Sequence, residues 1–417
     1  MLTLGGTRGD VLPAVTLGIA LRARGYEITV FGDSTYEKEA LAAGLTEDEW
    51  ANGSDVSLAF LMRTAAGQRW LWNERLRRAD RWLDEELKKH WELKVESFLH
   101  KVRASSDTRI VATIASISAW HFMHRFHPAS ARIISCPMPF APSKEFSLEA
   151  PDLSPVDRAK ARLKRLLESR AIRRQFLHDT YHLVSASPTI FPRPRDWASH
   201  MQVTGYTPPA PAPTSWEPPA DLAEFLRKGS PPIYVGFGSY PFFFGPKGEH
   251  LARLFKKACE SLGARAILHS EDLSAELASD STFVLRGGVP HSWLFPHCGA
   301  IVHHGGYGTM HAALLAGRPM VIYPLQTDQF LWAQRMGEMG VGPGFRGRLG
   351  DLRAKSVEKD IAWALERGPR DKAERIGPEL ASEDGSGVQL AYIESIIEHQ
   401  RLGRRPSDWR PPVVASA

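Results

Sequence analysis

The sequence predicts an α/β protein of two domains, each a parallel sheet covered by helices. Three observations carry this. Strands and helices alternate along the chain, glycine-rich turns follow several strands, and a proline-rich stretch separates two such series. At 417 residues the chain also exceeds what one hydrophobic core comfortably serves.

The chain opens on a short strand, residues 1–5, then a glycine-rich turn and a helix over 11–24 that Gly25 ends as a C-cap would. YEITVF, residues 26–31, reads as the next strand, which makes a βαβ unit and hence a parallel sheet. Residues 70–103 form a long amphipathic helical region carrying Trp70, Trp72, Trp82 and Trp91, a stripe that suits core packing. RIVATIAS (109–116), ARIISC (131–136) and YHLVSA (181–186) return to strand character. The stretch 206–220 then holds six prolines in fifteen residues, which excludes both helix and central strand. Beyond it come a helix near 220–228 and strands in PIYVGFGS (232–239), RAILHS, TFVLRG, AIVHHGG and MVIYP. A helix over 388–400 and an Arg- and Pro-rich tail close the chain.

The expected organisation is an N-terminal Rossmann-like domain (1–206), a linker (207–220), a C-terminal Rossmann-like domain (221–385), and a terminal helix and tail (386–417) packing back toward the first domain. The cleft between the domains is then the natural ligand site.

Composition narrows the function. With 43% apolar and 24% charged residues this is a globular composition. A net charge of +5 is mild and dispersed, and no nucleic-acid-binding motif is present. Cys136, Cys259 and Cys298 fit no zinc spacing, and an odd count without a signal peptide favours the reducing cytosol. No apolar run reaches membrane-spanning length, which leaves peripheral contact with a membrane surface open. Walker A, G-x-S-x-G and H-E-x-x-H patterns are absent.

The richest segment is IVHHGGYGTMHAALLAGRPMVIYPLQTDQ, residues 301–329. A buried strand delivers His303 and His304 to its C-terminal edge, and Gly305, Gly306 and Gly308 allow a tight turn into a helix. Free backbone N–H groups there, with Thr309 beside them, form an anion site to which His304 can add a hydrogen bond. Adjacent residues of a strand face opposite ways, so His303 suits the core and the pair does not suit one metal ion. After the next strand, Asp328 and Gln329 reach the same edge. A carboxylate and an amide can pair with adjacent hydroxyls of a hexose, and Asp328 equally suits the first turn of a helix. In the first loop, Gly6, Thr7, Arg8 and Gly9 precede Asp10, which either caps the first helix or faces a ligand at the sheet edge. WHFMHRFHP, residues 120–128, spreads its histidines too widely for a metal, while Trp120, His121 and Phe122 could line an acceptor cleft.

Taken together, VHHGGYGT…AGRPMVIYPLQTDQ, VPHSWLFP (289–296) and GTRGDVLP (6–13) resemble the inverting glycosyltransferases of the UDP-glycosyltransferase superfamily (family 1), which have the GT-B architecture of two facing Rossmann-like domains. PMPFAPSKEF (137–146), SPTIFPRPRDWASHMQVTGY (187–206) and IYVGFGS (233–239) resemble the sterol 3β-glucosyltransferase branch and its bacterial natural-product relatives. The resemblance implies that His304, Gly306, Gly308, Thr309 and Ser239 hold the donor diphosphate. It implies further that the backbone around Val289 holds the base, that Asp328 and Gln329 hold the sugar, and that Asp10 is the general base. Trp120, His121, Phe122, Met138 and Phe140 would line the acceptor site. The implied reaction moves a hexose, glucose from UDP-glucose, to a hydroxyl of a sterol, hopanoid, lipid or polyketide-like acceptor, with no metal and no bound cofactor. A dTDP-deoxysugar transferase, a sugar-nucleotide epimerase on the same fold and a non-catalytic binding module are the alternatives.

Overall fold

The structure is a computed structural model, which describes residues 8–54, 64, 110–112, 132–139, 141, 143–146, 151, 177–209, 215–238, 242–325 and 328–414. The expected strand at 1–5 and the tryptophan-bearing helix over 70–103 lie outside the described residues.

Helix α1 (Arg8–Ala23) opens the described chain. It ends where expected: the Gly25 N–H donates to the Arg22 carbonyl at 2.9 Å, and Gly25 has φ +86°, a left-handed conformation that glycine adopts without penalty. Strand β1 covers Val30–Asp33, starting four residues later than the sequence suggests. Tyr26 and Ile28 have strand-like chemistry and pack against buried clusters of helix and strand residues, and the described ladder begins only where Val30 meets Trp50. Helix α2 (Glu37–Ala42) then leads to β2 (Trp50–Ser54), which pairs with β1 in parallel. One face of α1, Val11 and Val15, closes over Val30, Ala40 and Leu45.

Strands β3 (Ile110–Ala112), β4 (Arg132–Cys136), β5 (Tyr181–Val184) and β6 (Met201–Val203) form a parallel sheet in the order β3-β4-β5-β6. β6 is a three-residue strand inside a stretch whose prolines and polar residues conceal it.

The second half begins with α3 (Ala220–Arg227) and β7 (Ile233–Gly236). It continues through α4 (Gly245–Ser261), β8 (Ala266–His269), β9 (Thr282–Leu285), the short α5 (His291–Leu294) and β10 (Ala300–His303). Next come α6 (Tyr307–Leu315), β11 (Met320–Ile322) and α7 (Asp328–Met339). The parallel sheet runs β11-β10-β7-β8-β9, so the chain starts in the middle and winds outward both ways. That reversal is a topological switch point, and ligands of open α/β sheets bind at the carboxyl ends of strands beside it. Strands β7, β8 and β10 are almost wholly buried, as a sheet covered on both faces requires.

Helices α8 (Ala354–Ala364), α9 (Arg367–Ala381) and α10 (Gly385–Arg401) complete the chain. α10 returns to the first half: Leu390, Ile393, Ile396 and Ile397 pack with Trp409 against Leu17, Leu21, Ile133, Tyr181 and Leu183. The chain therefore passes between the halves twice, and the two passages touch. A Cβ on Gly205 would lie 2.6 Å from the Gly385 Cα, and one on Gly385 would lie 2.4 Å from the Tyr206 carbonyl oxygen. Thr207 donates to Gln389 Oε1 at 2.5 Å, and the Gln389 amide donates to Ser135.

Candidate active site

The end of strand β10 separates the two histidines, His303 as its last residue and His304 just beyond it. His303 is fully buried. Its Nδ1 accepts from the Gly305 N–H at 3.2 Å, and its Nε2 lies 3.5 Å from Met320 Sδ. Burial, with smaller contributions from His304 and His291, holds its pKa well below the usual histidine value. It is a neutral core residue that pins the glycine turn.

His304 turns the other way. The two ring centroids are 6.3 Å apart at an interplanar angle of 82°. The His304 ring lies in a slot between two glycines from different segments. A Cβ on Gly306 would sit 2.8 Å from Nε2, and one on Gly238 would sit 2.9 Å from Cε1. A side chain at 238 or 306 would force this ring to shift. Burial pushes the His304 pKa down to about 4, so the ring is neutral at pH 7 and can donate one N–H.

The turn after it is shaped by glycine for a second reason. Gly305 has φ +96°, and a Cβ there would meet Ile322 at 2.9 Å and Gln329 Cβ at 3.2 Å. The start of α7 is thereby packed directly under the start of α6. Gly306, the N-cap of α6, supplies no side-chain cap to the helix. An uncapped first turn leaves N–H groups for an anion, whose charge the helix field also favours. Thr309 lies half-buried in this first turn. Gly308 has a packing reason to be glycine: a Cβ there would lie 2.8 Å from the Tyr206 hydroxyl.

Asp328 and Gln329 open α7 on the same sheet edge, after β11, which pairs with β10 in parallel. Asp328 Oδ2 accepts from the Trp332 indole N–H at 3.0 Å, and Gln329 Oε1 accepts from the Leu325 N–H at 2.7 Å. Gln329 is buried and one end of its amide is committed to the backbone, while Asp328 is half-buried. Both readings of Asp328, helix opening and ligand edge, describe the same position.

Val289 is buried between β9 and α5. The backbone just before it is clamped. Gly287, at φ +79°, donates its N–H to Glu271 Oε1 at 2.6 Å, and its carbonyl accepts from His269 Nε2 at 2.9 Å. Because a carbonyl only accepts, His269 carries a proton on Nε2, and its Nδ1 is hydrogen-bonded with the Tyr234 hydroxyl at 2.7 Å.

In the first half, Arg8, Gly9 and Asp10 form the first three positions of α1, so the junction read as loop is already helical. Met138 is half-buried just after β4, and its carbonyl accepts from Cys136 Sγ at 3.3 Å. Gly6, Thr7, Trp120, His121, Phe122, Phe140 and Ser239 lie outside the described residues. Burial raises the Cys259 and Cys298 thiols to about 12, which removes them as nucleophiles. Among the described residues no three His, Cys, Asp or Glu side chains gather as a metal-holding group, and no helix is long and apolar enough to cross a membrane. The residues that sequence reading passed over are Gly238, Tyr206, His269 and Trp332. Only Gly238 carried a signal, since GFGS follows a buried strand.

Comparison with known proteins identifies relatives of the chain and of its fold. Residues 262–386 match the family described as erythromycin biosynthesis protein CIII-like, C-terminal domain. The chain is 35% identical over 213 residues to the sterol 3-beta-glucosyltransferase UGT80A2 of Arabidopsis thaliana, covering 50% of this chain and 33% of that protein. It is 28% identical over 443 residues to the O-mycaminosyltylonolide 6-deoxyallosyltransferase of Streptomyces fradiae, covering 97% of this chain and 99% of that one. The chain spans about a third of the length of the sterol relatives it matches. The crystal structure of CalG4, the calicheamicin glycosyltransferase, superimposes with a TM-score of 0.63 at 16% identity, over 95% of this chain and 98% of that one. The chain thus has the GT-B fold and is a relative of the sterol 3β-glucosyltransferases and of the macrolide glycosyltransferases.

Proposed function

We propose that this protein is an inverting glycosyltransferase that moves glucose from UDP-glucose to a hydroxyl of an apolar acceptor. The carrying observation is the His304 imidazole, slotted between Gly238 and Gly306 beside the uncapped start of α6, with Asp328 opening the adjacent helix. A diphosphate gains negative charge as it leaves the sugar. A preformed helix N-terminus and a neutral histidine N–H would stabilise that charge without a divalent metal. Asp328 and Gln329 would hold the sugar hydroxyls, and the clamped backbone before Val289 would receive the base. An alcohol is a poor nucleophile, so Asp10 would take its proton as the new bond forms, and a single displacement inverts the anomeric carbon.

A second reading uses a deoxysugar donor. It is favoured by the full-length match to a deoxyallosyltransferase, and contacts to a diphosphate would not by themselves distinguish one base from another. A screen of UDP- and dTDP-sugars against sterol, hopanoid and polyketide acceptors, read by mass spectrometry, separates the two. In the productive pair, Asp10→Asn is expected to keep UDP affinity while transfer falls by about 10²–10⁴, and EDTA is expected to leave transfer intact. Undiminished turnover of Asp10→Asn would remove Asp10 as the base.

A further inference from the structure

The donor-side helices rest on a loop from the other half. Just beyond β5, the Ser187 N–H donates to the Tyr307 hydroxyl at 2.6 Å, and Ser187 Oγ donates to Glu383 Oε1 at 2.7 Å. Arg335 Nε donates to the Ile190 carbonyl at 2.7 Å. The Phe191 ring meets Trp332 edge-on at 5.8 Å, and Tyr307 meets the same indole at 5.1 Å. Tyr307 is the first residue of α6, while Trp332 and Arg335 lie on α7. The loop over residues 187–191 thus touches both helices whose first turns carry the donor-side residues.

Trp332 is the centre of this contact. It is fully buried, so packing alone would be served by any large aromatic. Its indole N–H, however, is spent on Asp328 Oδ2, one helical turn back, at 3.0 Å. A hydrogen bond to one carboxylate oxygen fixes the plane of the group and so the direction of the other oxygen. A ring wedged between Phe191 and Tyr307 cannot swing to follow a displaced carboxylate.

We propose that Trp332 is a positioning residue for the donor sugar: seated by Phe191 of the first half, its indole N–H sets the Asp328 carboxylate at the angle that meets two neighbouring sugar hydroxyls. Sugar recognition then depends on contact between the halves. This rests on the reading of Asp328 as a sugar ligand.

The test compares UDP with UDP-glucose in calorimetric binding to the full chain, since only the second has the sugar. Trp332→Phe keeps a ring and loses the N–H. It should leave UDP affinity within about twofold and weaken UDP-glucose by about tenfold, the loss of one charge-assisted hydrogen bond. Phe191→Leu, which leaves α7 untouched, should give the same selective loss to a smaller extent. In an Asp328→Ala background, Trp332→Phe should have no further effect. If Asp328→Ala itself leaves UDP-glucose affinity unchanged, the sugar-site reading fails and the proposal with it. If Asp328→Ala weakens UDP-glucose but both Trp332→Phe and Phe191→Leu do not, the positioning role alone is overturned. Equal loss for UDP and UDP-glucose in both variants, or full additivity with Asp328→Ala, overturns it as well.

Discussion

Gly306→Ala tests the slot that holds His304. The backbone there has φ −60° and ψ 130°, which any L-residue adopts, so the substitution introduces no backbone strain. The loss of glycine at this N-cap costs the helix under about 1 kcal/mol. The new Cβ, however, would stand 2.8 Å from His304 Nε2 and 3.0 Å from Cε1. Ordinary carbon–nitrogen contact begins at roughly 3.4 Å, so the ring must move by about 0.6 Å. Gly238 also lies against the Cε1–Nε2 edge of the ring, where an added Cβ would stand 2.9 Å from Cε1. A hydrogen bond from His304 to a phosphate oxygen is worth about 1.5–3 kcal/mol, and a ring driven off its line forfeits most of it. UDP affinity should therefore fall roughly ten- to hundredfold, measured by isothermal titration calorimetry at pH 7.5 with the thermal midpoint nearly unchanged. His304→Ala should cost about as much, and Gly306→Ala should add nothing in that background, since its nearest contacts are all His304 atoms. Wild-type affinity in Gly306→Ala, or a full second loss in the double variant, would refute the argument.

Two further predictions concern stability. Burial lowers the pKa of His304 and His311 to about 4 from a reference of 6.5, and holds that of His303 well below the same reference. The folded values lie below the unfolded ones, so the unfolded chain binds more protons between them. This contribution is complete above pH 6.5 and is lost as pH falls toward 4. For His311, which is 6% exposed, a shift of this size corresponds to about 3 kcal/mol. Urea midpoints should fall steeply over that window, and His311→Phe should flatten the slope; an unchanged slope would show that the buried rings do not titrate with unfolding. Gly205→Ala should cost about 3 kcal/mol or more, because its φ is +87° and its Cβ would lie 2.6 Å from the Gly385 backbone. Gly25→Ala, at φ +86° with no atom within 4 Å, should cost only about 1–2 kcal/mol. Equal thermal shifts in the two variants would mean that the crossing of the two interdomain passages is not tight.

What could be read from the sequence alone was local. Alternating strands and helices, the Gly25 cap, the opposite fates of His303 and His304, and the helix start after the glycine turn all follow from backbone periodicity and turn chemistry between covalent neighbours. The limits of that reasoning are equally local. Residues 26–29 have the composition of a strand, and Tyr26 and Ile28 pack against the buried clusters, but among the described residues the ladder begins at Val30. Strand β6 is too short to show a period, and α9 is concealed by Pro369 and Pro378, which it nevertheless contains.

The tertiary structure alone decided which distant residues share a surface. Gly238 faces His304 across the sheet edge, Tyr206 fills the space over Gly308, and Gly205 crosses Gly385. Phe191 of one half seats Trp332 of the other. None of these pairs is coupled by spacing. Each exists because strand order within a sheet, or the meeting of the two halves, brings distant loops together, and a close approach of that kind is fixed by steric contact that no periodicity encodes. The sequence by itself named the residues proposed for a diphosphate and sugar site; the fold determined what holds them at their angles.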